Sequence, residues 1–407
     1  MVSATAREYR EMGNHVATDT TLDSPTVRDE TTPGRFDQRP LLVFWEMTNA
    51  CDLACRHCRA SAQREPSLDE LTLDEGRSLI DELGSLTRPR PILILTGGDC
   101  LKRRDLFVLL DHARSQRVPV ALAPSVTPRF NVEMMHALRE HGVHSISLSL
   151  DGALAATHDG VRGVANHFAA TLDALTALKR LGFRVQVNTT VMRHNVDELA
   201  AIAALLLQMG VDVWEVFFVV TTGRASNALA LMAPEIRDVC ELLVDAARYG
   251  MIVRTVEAPY FRRTVRDAAE RGDEPWWSVR YDQWRSDLRA RVGAPTHGVR
   301  APSVATRDGK GVIFVSSRGE VYASGFLPLS LGNVRASGLM TIYRDHPLLR
   351  QIRAGAFRGG CESCASVDVC GGSRARAYAT FGDPLGVDPS CPYQADASRM
   401  LSAGVAR

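Results

Sequence analysis

The amino-acid sequence predicts an α/β fold in which six strand–helix units build one parallel sheet and a small cysteine-rich domain follows it. Short apolar runs alternate with amphipathic segments from about residue 41 to residue 256, and this alternation is typical of parallel strands with helices outside them. Beyond residue 257 the alternation stops. Six units can form an open doubly wound sheet or a partial barrel, and both place functional loops after the carboxyl ends of the strands.

Composition divides the chain into four regions: a polar tail predicted to be disordered (1–37), the strand–helix region (38–256), a connecting segment rich in arginine and tryptophan (257–300) and the cysteine-rich domain (301–407). The tail lacks hydrophobic periodicity, so it cannot bury enough apolar surface to order itself. In the last region, the runs Gly311–Ser316 and Glu320–Ala323 flank a turn. They predict a β-hairpin.

Each predicted strand is a short apolar run bounded by turn residues. The six runs are Leu41–Met47, Pro91–Leu95, Val118–Ala123, Ser145–Leu150, Arg184–Val191 and Val211–Val220. Several polar residues have the spacing of helix starts. Thr72 with Glu75, and Asn195 with Glu198, predict capping boxes; Asn131 and Asn166 are predicted N-caps, and Pro234 suits a first helical turn.

Charge and cysteine content exclude several classes of protein. The net charge is only +1, so no basic field predicts nucleic acid or an anionic membrane as a partner. The most apolar stretch, Leu205 to Val220, is interrupted by Asp212 and Glu215, which excludes a membrane span there. No secretory signal is evident, and nine cysteines cannot all pair. The sequence therefore predicts a cytoplasmic protein whose clustered thiols bind metal.

The first cysteine group consists of Cys51, Cys55 and Cys58, which directly follow the first predicted strand. Soft thiolate ligands select iron–sulfur clusters, zinc or Cu(I). Three thiolates leave one iron of a four-iron cubane open to a ligand, as an open position does on a catalytic zinc. A structural zinc site with His57 as fourth ligand is the alternative that spacing leaves open.

This C-x3-C-x2-C loop resembles that of the radical SAM superfamily. The resemblance implies a partial (β/α)6 barrel and a [4Fe–4S] cluster on Cys51, Cys55 and Cys58, which are then both metal ligands and catalytic groups. It implies that the open iron binds the amino and carboxylate groups of S-adenosylmethionine. A reductant such as ferredoxin or flavodoxin supplies the electron that releases a 5′-deoxyadenosyl radical, which takes a hydrogen atom from the substrate.

Paired glycines follow the second strand, in Gly97-Gly98-Asp99-Cys100. Glycines at a strand end allow close backbone approach, or simply form a tight turn. The sequence resembles the family's Gly-Gly-Glu motif, which implies that Gly97, Gly98 and Asp99 hold the methionyl amino group. Asp99 is one methylene shorter than the usual Glu. Cys100 is either a small buried hydrophobe or a thiol near the reaction site.

Polar residues also end the fourth and fifth strands. Ser149, Asp151 and Arg162 resemble a Ser-Leu-Asp-Gly pattern with a downstream arginine, which implies that Ser149 and Arg162 contact the cofactor carboxylate and Asp151 the ribose. Strand-end capping and a surface arginine are the alternative. Asn188 is a weaker cofactor-binding candidate, and Ser125 and Thr127 are weaker still, because polar residues at such positions can also be satisfied by backbone.

The second cysteine group is Cys361, Cys364, Cys370 and Cys391. Four thiolates can close a zinc site completely. The spacing resembles the SPASM (twitch-like) extension of radical SAM enzymes, which implies a second, auxiliary [4Fe–4S] cluster that relays electrons, braces the fold, or both. A complete SPASM domain holds two such clusters, but Ser324 and Arg374 stand where further cysteines are expected. The sequence therefore predicts a single auxiliary cluster.

The substrate is constrained only by resemblance. Asp99–Arg103 and Ser324–Leu329 resemble haem-biosynthesis members, which implies a tetrapyrrole propionate that is decarboxylated or removed. Arginines and aromatic residues in the connecting segment suit carboxylates and a flat macrocycle, or else a basic surface helix with packed tryptophans; they are Arg262, Arg263, Arg266, Arg280, Arg285, Tyr260, Trp276, Trp277 and Trp284.

Three other functions stay open. A peptide maturase would form a thioether, a crosslink or an epimer, and another enzyme of this type would act on a small natural product such as a sugar or nucleoside. A non-catalytic iron–sulfur electron carrier is the third. The Gly97-Gly98 turn and the pair Ser149 and Arg162 speak against the carrier, because a carrier needs no cofactor pocket.

Overall fold

The computed structural model of the chain describes residues 34, 36–272, 274, 276–301 and 306–394. Most of the tail predicted to be disordered lies outside the described residues. Phe36 is described and buried, and its carbonyl oxygen accepts a hydrogen bond of 2.6 Å from the Tyr343 hydroxyl.

Ten strands of the described residues form one sheet. They are β1 (Leu42–Glu46), β2 (Ile92–Thr96), β3 (Val120–Leu122), β4 (Ser145–Ser149), β5 (Arg184–Val191), β6 (Val213–Phe218), β7 (Ile252–Val256), β8 (Arg307–Asp308), β9 (Gly311–Val315) and β10 (Val321–Tyr322).

The α-helices of the described residues are α1 (Leu73–Gly84), α2 (Leu106–Ser115), α3 (Val132–Glu140), α4 (Ala155–Arg162), α5 (His167–Arg180), α6 (Leu199–Gln208), α7 (Ala233–Ala246), α8 (Phe261–Arg271), α9 (Val279–Val292), α10 (Leu339–Asp345), α11 (Pro347–Ala354) and α12 (Arg374–Phe381). Among the described residues, none of the helices combines the length and the apolar character needed to cross a bilayer.

The sheet topology confirms a partial α/β barrel. Strands β1 to β7 lie side by side in chain order, and all are parallel. The six predicted strands are present. Sequence reasoning missed β7, because Arg254 interrupts its short apolar run. The predicted hairpin is also present: β9 and β10 are antiparallel, and β9 adds to the free edge of β1 in parallel. The cysteine-rich region therefore contributes strands to the barrel sheet.

The sheet curves, because segments far apart in strand order meet across one of its faces. Phe326, shortly after β10, places its ring 6.0 Å from that of Phe217 on β6. We call this side, which carries Asn188 on β5 and Glu215 on β6, the concave face. Its polar side chains alternate with buried apolar ones that face the outer helices. A parallel sheet is usually apolar on both faces, so a polar concave face indicates a site.

The outer face is packed tightly enough to require glycine. A Cβ on Gly76 of α1 would lie 2.7 Å from the Trp45 ring and 3.1 Å from Leu109 of α2. Trp45 itself is fully buried. Helix α1 thus packs directly on β1, and α2 packs against α1 at the same point.

Three of the predicted capping residues are confirmed, and the other two stand at the N-cap position of a helical segment without a side-chain cap. Thr72 and Glu75 form the capping box of α1, Asn131 caps α3, and Pro234 lies in the first turn of α7. Asn166 instead has a left-handed backbone and makes no side-chain cap. Asn195 forms no cap either, because its amide donates to the carbonyl oxygens of Asp151 and Thr190. The Asn195 side chain therefore joins the ends of β4 and β5 and does not cap a helix.

The connecting segment is mostly helical, as the alternative of a basic surface helix predicted. Helix α8 packs on α7, and α9 packs on α6 and α7, in the outer layer. Its arginines bind acceptors within the protein: Arg280 pairs with Glu235 at 2.8 Å, and Arg262 donates to the Val369 carbonyl at 2.5 Å. Trp284 is buried. The structure favours the alternative of a basic helix with packed tryptophans over a macrocycle site in this segment.

Candidate cluster and cofactor site

The cysteine loop lies at the carboxyl end of β1, and its sulfurs receive hydrogen bonds from the loop's own backbone. The Leu53 N–H donates to Cys51 Sγ at 3.4 Å, and the Ala62 N–H donates to Cys58 Sγ at 3.5 Å. Burial raises the pKa of the Cys51 thiol, against hydrogen bonds that lower it. A bound metal would favour the thiolate.

These residues fit an iron–sulfur cluster by donor type and by hydrogen bonding. Amide N–H groups aimed at cysteine sulfur are the means by which proteins adjust the potentials of such clusters. Among the described residues, no three His, Cys, Asp or Glu side chains converge closely enough to bind one metal ion. The fit therefore rests on the thiols and their amide donors. His57, the fourth ligand in the zinc alternative, directs its Nε2 toward Asp151, 3.9 Å from Oδ2.

Gly97 and Gly98 hold the cysteine loop against the end of β2. A Cβ on Gly98 would overlap the Ala50 carbonyl oxygen, and one on Gly97 would overlap that of Thr48; Gly97 also has a φ of +145°. Backbone hydrogen bonds join the two loops, with the Gly98 N–H donating to Thr48 at 2.8 Å. The predicted close backbone approach at Gly97 and Gly98 is present, and the backbone that approaches these glycines is that of the cysteine loop.

Asp99 is placed inside the protein and not toward the sheet opening. Its side chain is fully buried and accepts hydrogen bonds from the Leu101 N–H at 3.1 Å and the Thr127 hydroxyl at 3.2 Å. Burial raises the pKa of this carboxyl, against the hydrogen bonds that lower it. The contact with a methionyl amino group that the resemblance implied for Asp99 stays a prediction, since these donors leave acceptor capacity on the carboxylate. Its position makes it a brace for the Gly97-Gly98 turn.

Cys100 behaves as a small hydrophobic residue. It is fully buried within the main apolar core. Burial raises the pKa of its thiol well above the ordinary value, so the thiol is not the reactive kind. Of the two alternatives for Cys100, the structure favours packing.

Arg162 and Asp151 form an ion pair beside the cysteine loop. The Arg162 guanidinium lies 2.5 Å from Asp151 Oδ2 and also donates to Cys55 Sγ at 3.6 Å. Burial alone would raise the pKa of Asp151, but the charge of Arg162, with smaller contributions from His57 and the Thr190 N–H, lowers it. The structure thus brings Asp151 and Arg162 together with the first cysteine group, as the sequence predicted.

Ser149 and Asn188 are neighbours on the concave face. They are paired in register between β4 and β5. The Gln186 amide donates to Asn188 Oδ1 at 2.8 Å and so orients it. Ser149 ends β4 two residues before Asp151, and the Asn188 carbonyl accepts a hydrogen bond from the Leu150 N–H at 2.9 Å, so both predicted candidates lie close to Asp151. Ser125 also lies here, because its hydroxyl is 3.5 Å from Cys51 Sγ and donates to the Gly98 carbonyl at 3.0 Å.

Gly223 and Arg224, after β6, also hold the cysteine loop, and sequence reasoning missed both. A Cβ on Gly223 would overlap the carbonyl oxygens of Cys58 and Arg59. Arg224 donates from Nε to the Cys55 carbonyl at 3.0 Å. The only sequence signal is a Gly-Arg pair after the sixth strand, and it could be recognised only once the barrel brought β6 opposite the loop.

The second cysteine group also gathers in space. Besides burial, Cys364 raises the pKa of the Cys361 thiol, Cys361 that of Cys370, and Cys370 that of Cys391, so these sulfurs lie near one another. Burial raises the pKa of Cys370 to about 11 and that of Cys391 to about 12. Backbone N–H groups donate to Cys364 Sγ at 3.5 Å and to Cys370 Sγ at 3.4 Å. The donor set and its amide hydrogen bonds match those of the first group.

Arg374 occupies the place where a further cysteine ligand was expected. Its side chain is fully buried, and it donates to the Gly386 carbonyl at 2.7 Å and the Gly372 carbonyl at 3.2 Å. Its guanidinium lies over the Phe357 ring, 4.4 Å from the centroid. Backbone acceptors and an aromatic ring therefore hold the Arg374 side chain at the position where a metal-binding cysteine was expected.

Comparisons with known proteins agree with this site. Residues 45–206 match the radical SAM superfamily. The AdoMet-dependent heme synthase of Methanosarcina barkeri is 33% identical over 87% of this chain and 97% of its own length. That of Nitratidesulfovibrio vulgaris is 34% identical over 87% of this chain and 92% of its own length.

Among solved structures, Streptococcus suis SuiB bound to S-adenosylmethionine superposes with a TM-score of 0.63 at 14% identity, covering 87% of this chain and 77% of SuiB. That likeness shows a shared fold. The sequence similarity to the heme synthases extends over 87% of the chain. The chain therefore belongs to the radical SAM superfamily and is an enzyme that uses a [4Fe–4S] cluster, S-adenosylmethionine and an external reductant.

Proposed function

We propose that this enzyme converts propionate side chains of a tetrapyrrole by oxidative decarboxylation. The observation that carries the proposal is the similarity, at 33% and 34% identity, to two AdoMet-dependent heme synthases over nearly their full lengths. A relative matched only through its cysteine loop would not constrain the substrate. Similarity over 87% of this chain does constrain it.

The residues assigned to the cofactors follow from the site. Cys51, Cys55 and Cys58 hold the first cluster, and Cys361, Cys364, Cys370 and Cys391 hold the auxiliary [4Fe–4S] cluster. When bound, the first cluster supplies the electron that cleaves S-adenosylmethionine to a 5′-deoxyadenosyl radical. The main chain of Gly97 and Gly98 would hold the methionyl amino group when the cofactor is bound. Ser149, Asp151, Arg162 and Asn188 line the remainder of the cofactor site, and Asp99 supports it from behind.

The proposed reaction is balanced for each propionate. One hydrogen atom leaves the carbon attached to the ring and forms 5′-deoxyadenosine. The carboxylate then leaves as carbon dioxide while one electron passes to an acceptor, so that a vinyl group remains. When bound by its four cysteines, the auxiliary cluster would have no open iron for a substrate and would supply one-electron redox chemistry.

The segment Ser324–Leu329 supports a flat substrate. It lies over the concave face, where Phe326 and Phe217 have ring centroids 6.0 Å apart. The Arg59 guanidinium lies 4.5 Å from the centroid of Phe314 and donates to the Gly325 carbonyl at 3.4 Å. Aromatic faces of this kind stack on a planar macrocycle. We further propose that ferredoxin or flavodoxin is the reductant, and that the enzyme works in the cytoplasm, where thiols stay reduced.

The test is anaerobic turnover with S-adenosylmethionine, a reductant and iron coproporphyrin III, which carries propionate side chains. We expect 5′-deoxyadenosine to form together with a porphyrin that has lost carbon dioxide and two hydrogen atoms per converted side chain. The matched control replaces Cys51, Cys55 and Cys58 by alanine and should form neither product. Formation of 5′-deoxyadenosine without any porphyrin product, and deuterium transfer only from a labelled peptide, would instead assign the enzyme to peptide maturation.

A further inference from the structure

A row of polar side chains crosses the concave face at one level. Ser149 pairs in register with Asn188, Asn188 with Glu215, and Glu215 with Arg254 on β7. On the outer side of the same strands, Val187, Val216 and Val253 are fully buried. Two members of this row, Ser149 and Asn188, are assigned to the cofactor. Glu215 and Arg254 have no such assignment.

The Arg254 guanidinium has no partner in the part of the chain that the structure describes. It makes no hydrogen bond or ion pair with any residue that the structure describes, and its Nε is buried without an acceptor. Other arginines near the sheet are occupied: Arg59 pairs with Glu46 at 2.8 Å, and Arg162 pairs with Asp151. A buried donor without an acceptor destabilises the folded protein. A ligand acceptor would remove that cost.

Glu215 does not fill this role, although it is the strand neighbour of Arg254. The Gln186 amide donates to Glu215 Oε2 at 2.9 Å and also holds Asn188. This holds the Glu215 carboxylate on the side of β5, farther than ion-pair distance from Arg254. Burial raises the pKa of the Glu215 carboxyl, and the neighbouring Arg254 guanidinium lowers it in part. Arg254 lies on the concave face in register with Glu215, and its buried Nε has no acceptor among the described residues, so this guanidinium is available to an anionic ligand.

The distance to the aromatic pair suits a propionate. Phe217 lies two residues beyond Glu215 on the same face of β6, which is roughly 6.6 Å along a strand. A macrocycle stacked at Phe217 and Phe326 would place a slender propionate arm toward the level of Arg254. Guanidinium binds carboxylate through two parallel hydrogen bonds, which gives both affinity and orientation.

We propose that Arg254 is the residue that binds a propionate carboxylate of the substrate and so orients the tetrapyrrole on the concave face. This inference rests on the proposed function. It makes Arg254 a substrate-binding residue on β7, which sequence reasoning missed, at the edge of the barrel opposite the hairpin.

The test measures binding of iron coproporphyrin III to the anaerobic holoenzyme by absorbance titration, without turnover. Arg254→Gln should weaken binding roughly ten- to a hundredfold, since a charge-assisted hydrogen bond is lost. Arg254→Lys keeps the charge without the planar fork and should lie between. The matched control is Arg291→Gln on α9, whose guanidinium pairs with Asp287 in solvent; it should bind as the wild type does. The esterified porphyrin, without carboxylate charge, should bind wild type and Arg254→Gln equally.

The outcomes separate the two proposals. Wild-type protein that binds no porphyrin overturns the proposed function, and the Arg254 assignment with it. Tight binding by both wild type and Arg254→Gln overturns only the assignment. If Arg254→Gln loses its iron, its porphyrin affinity cannot be compared with that of wild type. The affinities of Arg254→Lys for the free acid and of wild type for the ester then test the assignment. The assignment is also overturned if Arg254→Lys binds the porphyrin as tightly as wild type does and wild type does not prefer the free acid over the ester.

Discussion

Asp151 and Arg162 form an ion pair of 2.5 Å in which both side chains are buried. The pair lies between the end of β4 and the cysteine loop, and Arg162 also donates to Cys55 Sγ. A buried pair of this kind contributes little net stability, but it places one positive and one negative charge at fixed positions next to a cluster ligand. Changing either charge should alter the cluster more than it alters the fold.

Arg162→Gln should therefore lower the midpoint potential of the first cluster, on the order of tens of millivolts, because a positive charge and a sulfur hydrogen bond are lost. Asp151→Asn removes the compensating negative charge and should raise the potential. A redox titration followed by electron paramagnetic resonance measures both shifts. Shifts of equal sign in the two variants would contradict an electrostatic role.

Gly98→Ala should strain the cysteine loop, because its new Cβ would meet the backbone oxygens of Ala50 and Asn49. Backbone cannot move aside as a flexible side chain can, so we expect a loss of about 1–3 kcal/mol in stability and less iron bound per chain. The matched control is Gly160→Ala within α4, where nothing lies within 4 Å of the new Cβ. That variant should gain about 0.5–1 kcal/mol from helix propensity. Normal iron content in Gly98→Ala would refute the close-packing argument.

Anaerobically purified protein should contain about eight irons per chain, from two cubane clusters. Replacing Cys51, Cys55 and Cys58 by alanine should leave about four, and replacing Cys361, Cys364, Cys370 and Cys391 should remove the other four. Iron and sulfide analysis measures both. Zinc in place of iron at the second group would show that this site is purely structural.

Glu257→Gln should change how stability depends on pH. Burial, together with the negative charge of Asp308, raises the pKa of Glu257 to about 8 from an ordinary 4.5, against the Ser373 hydroxyl and Arg376, which lower it. Asp388 raises it further. The folded protein thus binds more protons than the unfolded chain in this interval, and its stability falls as pH rises from 4.5 through 8.

The glutamine variant cannot ionise, so it should be more stable than wild type at pH 8, by about 2–4 kcal/mol, and similar to it near pH 5. Thermal unfolding of the anaerobic holoproteins at several pH values measures the difference. Parallel pH profiles for the two proteins would show that Glu257 keeps an ordinary pKa in the folded state.

Sequence reasoning found the cysteine loop, the Gly97-Gly98 turn and the Asp151–Arg162 pair, because each is a local pattern at the end of a readable strand. It failed where a side chain's partner is distant in the chain. Asn195 matched a capping pattern, yet its amide binds the ends of β4 and β5. The arginines of α8 and α9 looked available for a substrate, but acceptors such as Glu235 and Val369 already bind them.

The sequence by itself determined the chemistry: three thiols after one strand, four more near the end of the chain, and the strand–helix alternation that builds a partial barrel. Tertiary structure alone decided which polar groups remain free. Gly223 and Arg224 became part of the cysteine loop's support, and Arg254 became an unpartnered guanidinium, only when β6 and β7 came round to the same opening. Hydrogen-bond saturation depends on which groups meet in space, and local sequence does not record it.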